Sequence, residues 1–137
     1  MSELSGTSHD DFASTHARLT AALAEQGFGV LTRIDLRATL HEKLGVEHEA
    51  HEILGVCNPQ LAHQALTIDP DVALLLPCSV TLRDVGGGAT EVRVLDPERA
   101  FTLAAPATRE ALEPLAREVR SRLEAVLTAT VPDRTAA

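Results

Sequence analysis

The apolar positions of this chain recur with two different periods, and the switches between them mark out its elements. Phe12, His16, Leu19 and Leu23 are spaced four, three and four apart, laying one stripe along a helix from about Asp11 to Gln26. Gly27 is placed to stop it. The period then falls to two: Phe28, Val30, Thr32 and Ile34 predict a half-buried strand. Asp35 can cap a short helix whose face is Leu36, Leu40 and Leu44, and Gly45 can end it.

"EILGVC", residues 52–57, is apolar on both sides and predicts a central strand covered on each face. Asn58 and Pro59 then make a helix start, because an N-cap Asn accepts from orphan backbone N–H groups and a proline at the first helical position has none to waste. Leu61, Ala62, Ala65 and Leu66 form the buried side of that helix, and Asp69-Pro70 closes it. "VALLLPCSVTL" predicts a strand with Leu74, Leu76, Cys78, Val80 and Leu82 on one face. Pro77 cannot donate to a ladder, so an edge or a bulge is expected there. "DVGGGA" turns into "TEVRVLD" as an antiparallel hairpin. Leu112, Leu115, Val119, Leu123 and Val126 give a long final helix, with Pro114 placing the start of its regular part around Glu113. Residues 1–10 and 130–137 are polar or small and are expected to fray, leaving 11–129 as one domain. The mixture of helices with an antiparallel hairpin predicts an α+β fold. A doubly wound parallel sheet is the alternative.

Composition narrows the functional classes. The 137 residues suffice to bury roughly two-thirds of the unfolded surface. A net charge of -8, from 20 acidic groups against 12 Lys and Arg, with only 2% aromatic residues, lacks the basic footprint and stacking platforms of a nucleic-acid binder. The same acidity repels anionic membranes. The N-terminal "MSELSGTSHDDF" has neither the basic nor the apolar segment of a secretory signal, and no apolar run approaches the ~20 residues of a membrane span. Two cysteines without an export signal point to a reducing cytoplasm and disfavour a Cys57–Cys78 disulfide.

Cys57 is placed just before an N-cap, where a helix dipole can depress a thiol pKa and make a nucleophile or a ligand. The alternative is that it packs against Ala62 as a small staple. Cys78 is in phase with Leu76 and Val80 and reads as a buried, inert side chain, unless a bulge at Pro77 re-aims it. Among possible metal ligands Cys57, His63 and Cys78 are the least implausible trio, although neither they nor the scattered His41, His48 and His51 have the spacing of a structural zinc site. His63 falls on the polar side of its helix, His48 and His51 in a solvated connection, and His16 at the core boundary. No nucleophile elbow, phosphate loop or dinucleotide fingerprint is present, and "CNPQ" lacks the second cysteine of a redox pair.

The ordered phrases "LAEQGFGVLTRID", "LHEKLG", "EILGVCNPQLAHQAL" and "LLLPCSVTL" resemble the bacterial and archaeal family called domain of unknown function 302, from about Phe12 to Leu127. The matching positions include Gly27, Phe28, Gly29, Gly55, Cys57, Asn58, Pro59, Leu76, Pro77 and Cys78. The resemblance implies an antiparallel sheet backed by helices in a TBP-like topology, and dimerisation; members have no established activity. They carry an extended strand before the first helix, whereas "MSELSGTSHDD" is polar and interrupted by glycine, so a short or absent first strand is expected. The resulting expectation is a soluble, non-enzymatic homodimer that binds a small ligand, an anionic group by the exposed backbone donors, or a partner at Cys57, Asn58, Pro59 and Cys78. The alternative is a redox or metal protein using the two cysteines. No cofactor is assigned.

Overall fold

The structure, a computed structural model, describes residues 4 to 132. Its elements run β1 (Leu4–Ser8), α1 (Phe12–Glu25), β2 (Gly29–Asp35), α2 (Leu36–Leu44), β3 (His51–Cys57), α3 (Pro59–Ile68), a 3₁₀ segment (Pro70–Leu75), β4 (Cys78–Gly86), β5 (Ala89–Val94), α4 (Pro97–Ala100) followed by a 3₁₀ turn (Phe101–Leu103), and α5 (Pro106–Thr130). The strands form one sheet in the order β1-β5-β4-β3-β2, every neighbouring pair antiparallel. The fold is therefore α+β, and the parallel alternative is excluded.

Local chemistry sets the boundaries. Asp11, Asp35 and Asn58 each accept a backbone N–H three residues on, from Ser14, Ala38 and Leu61, and so open α1, α2 and α3. Alternation along β3, β4 and β5 sends Leu54, Val56, Val80, Leu82, Val92 and Val94 into one core with Leu19 and Leu23 of α1 and Leu112, Leu123 and Leu127 of α5. The positions between them on β4 and β5, among them Ser79, Thr81, Arg83, Glu91 and Arg93, are half-buried or exposed, so no layer of the described residues covers that part of the opposite face.

Several expectations are corrected. The stretch expected to fray, with a first strand short or absent, contains the short, five-residue β1, which pairs with β5 from Leu4↔Val94 to Ser8↔Thr90. Leu4 is wholly buried, and Arg18 of α1 donates to the buried Ser8 hydroxyl and to the Thr130 carbonyl, tying strand and both long helices together. Thr130 and Val131, assigned to a tail, are likewise buried, whereas 133–137 lie outside the described residues. The strand expected from Leu74 begins only at Cys78. Asp69 instead caps a 3₁₀ segment through the Asp71 N–H, which leaves Leu74 87% exposed, and Pro77 precedes the strand instead of interrupting it. Leu66, expected on the buried side of α3, is exposed.

The final helix starts at Pro106 and runs through Pro114, which lies on the exposed side, where the carbonyl it leaves unbonded can face water. β3 is an interior strand between β4 and the edge strand β2, with Leu54 and Val56 in the core shared with the long helices. β2, expected to be half-buried, is exposed along its whole length.

Candidate functional site

Three elements meet at the corner where β3 ends. Asn58 closes it with both ends of its amide: Oδ1 accepts from the Leu61 N–H at 3.2 Å and Nδ2 donates to the Gln26 carbonyl at 3.3 Å. Arg122 of α5 donates to the same carbonyl at 3.2 Å. Gly27, at φ +82°, lies against this amide, and a Cβ there would sit 2.9 Å from Asn58 Nδ2. Asn58 thus binds the end of α1 to the start of α3. Gly55 is equally constrained, since a Cβ would meet Thr32 Oγ1 and come within 2.7 Å of Pro77 Cγ. Pro59 opens α3 and is exposed.

The two cysteines are free thiols, each half-buried, and both line one narrow cavity with Phe28, Leu61, Phe101 and Leu115. It holds about 20 Å³, the space of a single water. Its lining carries no charged side chain.

Burial raises the pKa of Cys57, opposite to the depression that a helix N-terminus can produce. Burial, and then the nearby Cys57, push Cys78 from 9.0 up to about 11. Both are protonated at neutral pH, so the thiolate reading loses its premise. A linkage effect follows. Between pH 9 and about 11 an unfolded thiol releases its proton while native Cys78 keeps it, so the native state binds more protons and stability falls as pH rises. Urea titrations across this window should show a loss of roughly 2–3 kcal/mol that is absent in Cys78→Ala; an unchanged pH dependence in the variant would contradict the assignment.

His63 lies on the exposed side of α3 and does not join the cysteines. Among the described residues, the group whose donor atoms converge is a different one, His48, Glu49 and His51, with one ligand atom from each within 4.8 Å of the others. These histidines do not lie in a merely solvated connection. Both are half-buried and their rings are near-parallel, with centroids 5.4 Å apart.

A second polar cluster gathers where β3 faces β2 and α1. Glu52 of β3 is in phase with Leu54 and Val56, so it points into the core, where it is 2% exposed. Arg33 Nε, across on β2, donates to Glu52 Oε1, and His16 Nε2 of α1 lies 3.7 Å from the same oxygen. Glu52 Oε2 and His16 Nε2 are buried without a hydrogen-bond partner. The contact with Glu52 raises the pKa of Arg33. His16, expected at the core boundary, is there because it leans on this carboxylate.

Similarity to known proteins runs over nearly all of this architecture. A solved structure described as the crystal structure of an uncharacterized conserved protein DUF302 from Bacillus stearothermophilus superposes with a TM-score of 0.79 at 29% identity, covering 91% of this chain and 94% of that one. No curated protein matches the chain. The family model for "Domain of unknown function DUF302" matches residues 4–130, from the first residue of β1 to the last of α5. With strand, corner and closing helix all inside that match, the chain belongs to the DUF302 family.

Proposed function

We propose that this chain is a non-enzymatic homodimeric binding module, in which a second copy covers the wing formed by β2 and α2. The observation that carries this is that no residue from 29 to 51 is buried. Leu31 is 65% exposed and Leu44 70%, with Val30, Ile34 and Val46 also open. A nine-residue helix is marginal in water without tertiary packing, and an apolar edge strand invites pairing. The bulge between Val30 and Thr32 interrupts the ladder and thrusts Leu31 outward, so apolar contact across a two-fold axis fits this edge better than a continuous intermolecular sheet.

The binding end in this reading is the corner of Cys57, Asn58 and Pro59 with Cys78. Its apolar lining and protonated thiols suit an uncharged group in place of the anion expected from the sequence. The free thiols fit a reducing cytoplasm, and no helix among the described residues is long and apolar enough to cross a membrane.

Size-exclusion chromatography with light scattering tests the assembly. The parent should elute at twice the chain mass, and Leu31→Asp or Leu44→Asp at the chain mass with an unchanged far-ultraviolet spectrum. A monomeric parent, or a dimer indifferent to both substitutions, would refute the reading.

A further inference from the structure

We propose that His48, Glu49 and His51 form a binding site for a late first-row divalent cation, with Zn²⁺ as the ion to test. The site is independent of the corner at Cys57 and of the dimer reading. It is built from the loop before β3 and the first residue of that strand. His51 pairs in register with Arg83 of β4, and His48 and Glu49 come from the preceding loop.

The geometry suits an ion. His48 Nε2 and His51 Nδ1 are 3.2 Å apart. Two nitrogens bound to one tetrahedral zinc at the usual bond length are separated by about 3.3 Å. The gap that one proton bridges in the metal-free chain is thus close to the edge of a coordination tetrahedron, and a small opening of the rings would admit the ion. Glu49 supplies a hard oxygen to the cluster: its Oε2 lies 3.6 Å from Nδ1, the other ring nitrogen of His48, and one ligand atom from each of the three residues falls within 4.8 Å of the others. Arg83 donates to the other oxygen, Oε1, at 3.3 Å and so fixes the carboxylate. Orientation of this kind is what groups behind a metal ligand ordinarily provide.

Charge points the same way. Arg83 also pairs with Glu91 at 3.3 Å, which Arg93 meets in turn at 3.2 Å, so two carboxylates balance two guanidiniums and an added dication is not opposed by net positive charge. Two imidazoles and a carboxylate are a borderline nitrogen and oxygen set, suited to Zn²⁺ and its neighbours and poorly matched to Ca²⁺ or Mg²⁺, which prefer all-oxygen cages. Three protein ligands leave a fourth position for water.

The test is a calorimetric titration of ZnCl₂ into the untagged full chain, paralleled by CoCl₂ as an optical probe. One saturable equivalent per chain is expected. His48→Ala and His51→Ala should each weaken binding roughly tenfold to a hundredfold, and Glu49→Gln should weaken it while leaving the rings in place. The Cys57→Ser/Cys78→Ser double variant should bind as the parent does, and the cobalt spectrum should lack a sulfur charge-transfer band. Circular dichroism checks that each variant folds. Absence of saturable binding, binding that survives both histidine substitutions, or binding lost with the cysteines would overturn the proposal.

Discussion

Gly55→Ala should lower the unfolding free energy in urea by about 3 kcal/mol, near the upper end of what overpacking a core costs. The loss arises although alanine is ordinarily the better strand residue by roughly 0.5–1 kcal/mol. An added Cβ meets two neighbours on the face of β3 turned away from the helices: the Thr32 hydroxyl and the Pro77 ring, whose Cγ would be 2.7 Å away. Thr32 sits on the exposed edge strand and can rotate its hydroxyl aside. The proline ring cannot, so the chain before β4 would have to move. Adding Thr32→Ala to Gly55→Ala should recover only a minor part of the loss. Stability within about 0.5 kcal/mol of the parent would mean that Pro77 yields freely and that the corner is not held by this contact.

Arg33→Ala should cost about 3 kcal/mol at neutral pH, the scale of stranding one partner of a buried ion pair. The guanidinium itself is well exposed and can be given up to water. What makes the substitution expensive is Glu52, whose carboxylate lies in the core with one oxygen already lacking a partner and only His16, 3.7 Å away, beside the other. The double variant Arg33→Ala/Glu52→Gln should regain most of the loss, because it removes the stranded charge along with its partner. Glu52→Met alone should be close to neutral or stabilising, since an apolar side chain of similar volume leaves no buried charge to compensate. If Arg33→Ala proved harmless while Glu52→Met was severe, the carboxylate would be serving as a hydrogen-bonded part of the core in its own right.

Both substitutions bear on residues whose importance is a matter of neighbours distant in sequence. "EILGVC" showed a glycine in an apolar run, but nothing local indicated that Thr32 and Pro77 converge above it. Glu52 could have been found by extending the alternation of Leu54 and Val56 back by one step. The cluster of His48, Glu49 and His51 was harder to find, because two of its members precede β3 in a loop, where no period reveals which way they face. For the cysteines, the pattern correctly placed one before the cap of α3 and the other in phase with the core. The direction of their pKa shifts depended on how much apolar surface the corner gathers around them. The first strand was hard to place for a related reason: the four polar and small residues after Leu4 have little strand character until β5 and Arg18 supply their partners.

The sequence by itself determined the class of the fold, the caps that start α2 and α3, the glycines that stop α1 and α2, the hairpin of β4 and β5 and the family, because these depend on short-range sterics, on side chains reaching their own backbone, and on the periods of two and 3.6. Tertiary structure alone decided which strand is left at the edge, which face of the sheet stays open, where Glu52 finds Arg33 and His16, and that His48, Glu49 and His51 point at one another. Those outcomes rest on long-range pairing and burial, where one local pattern is compatible with several surroundings and only the packed chain selects among them.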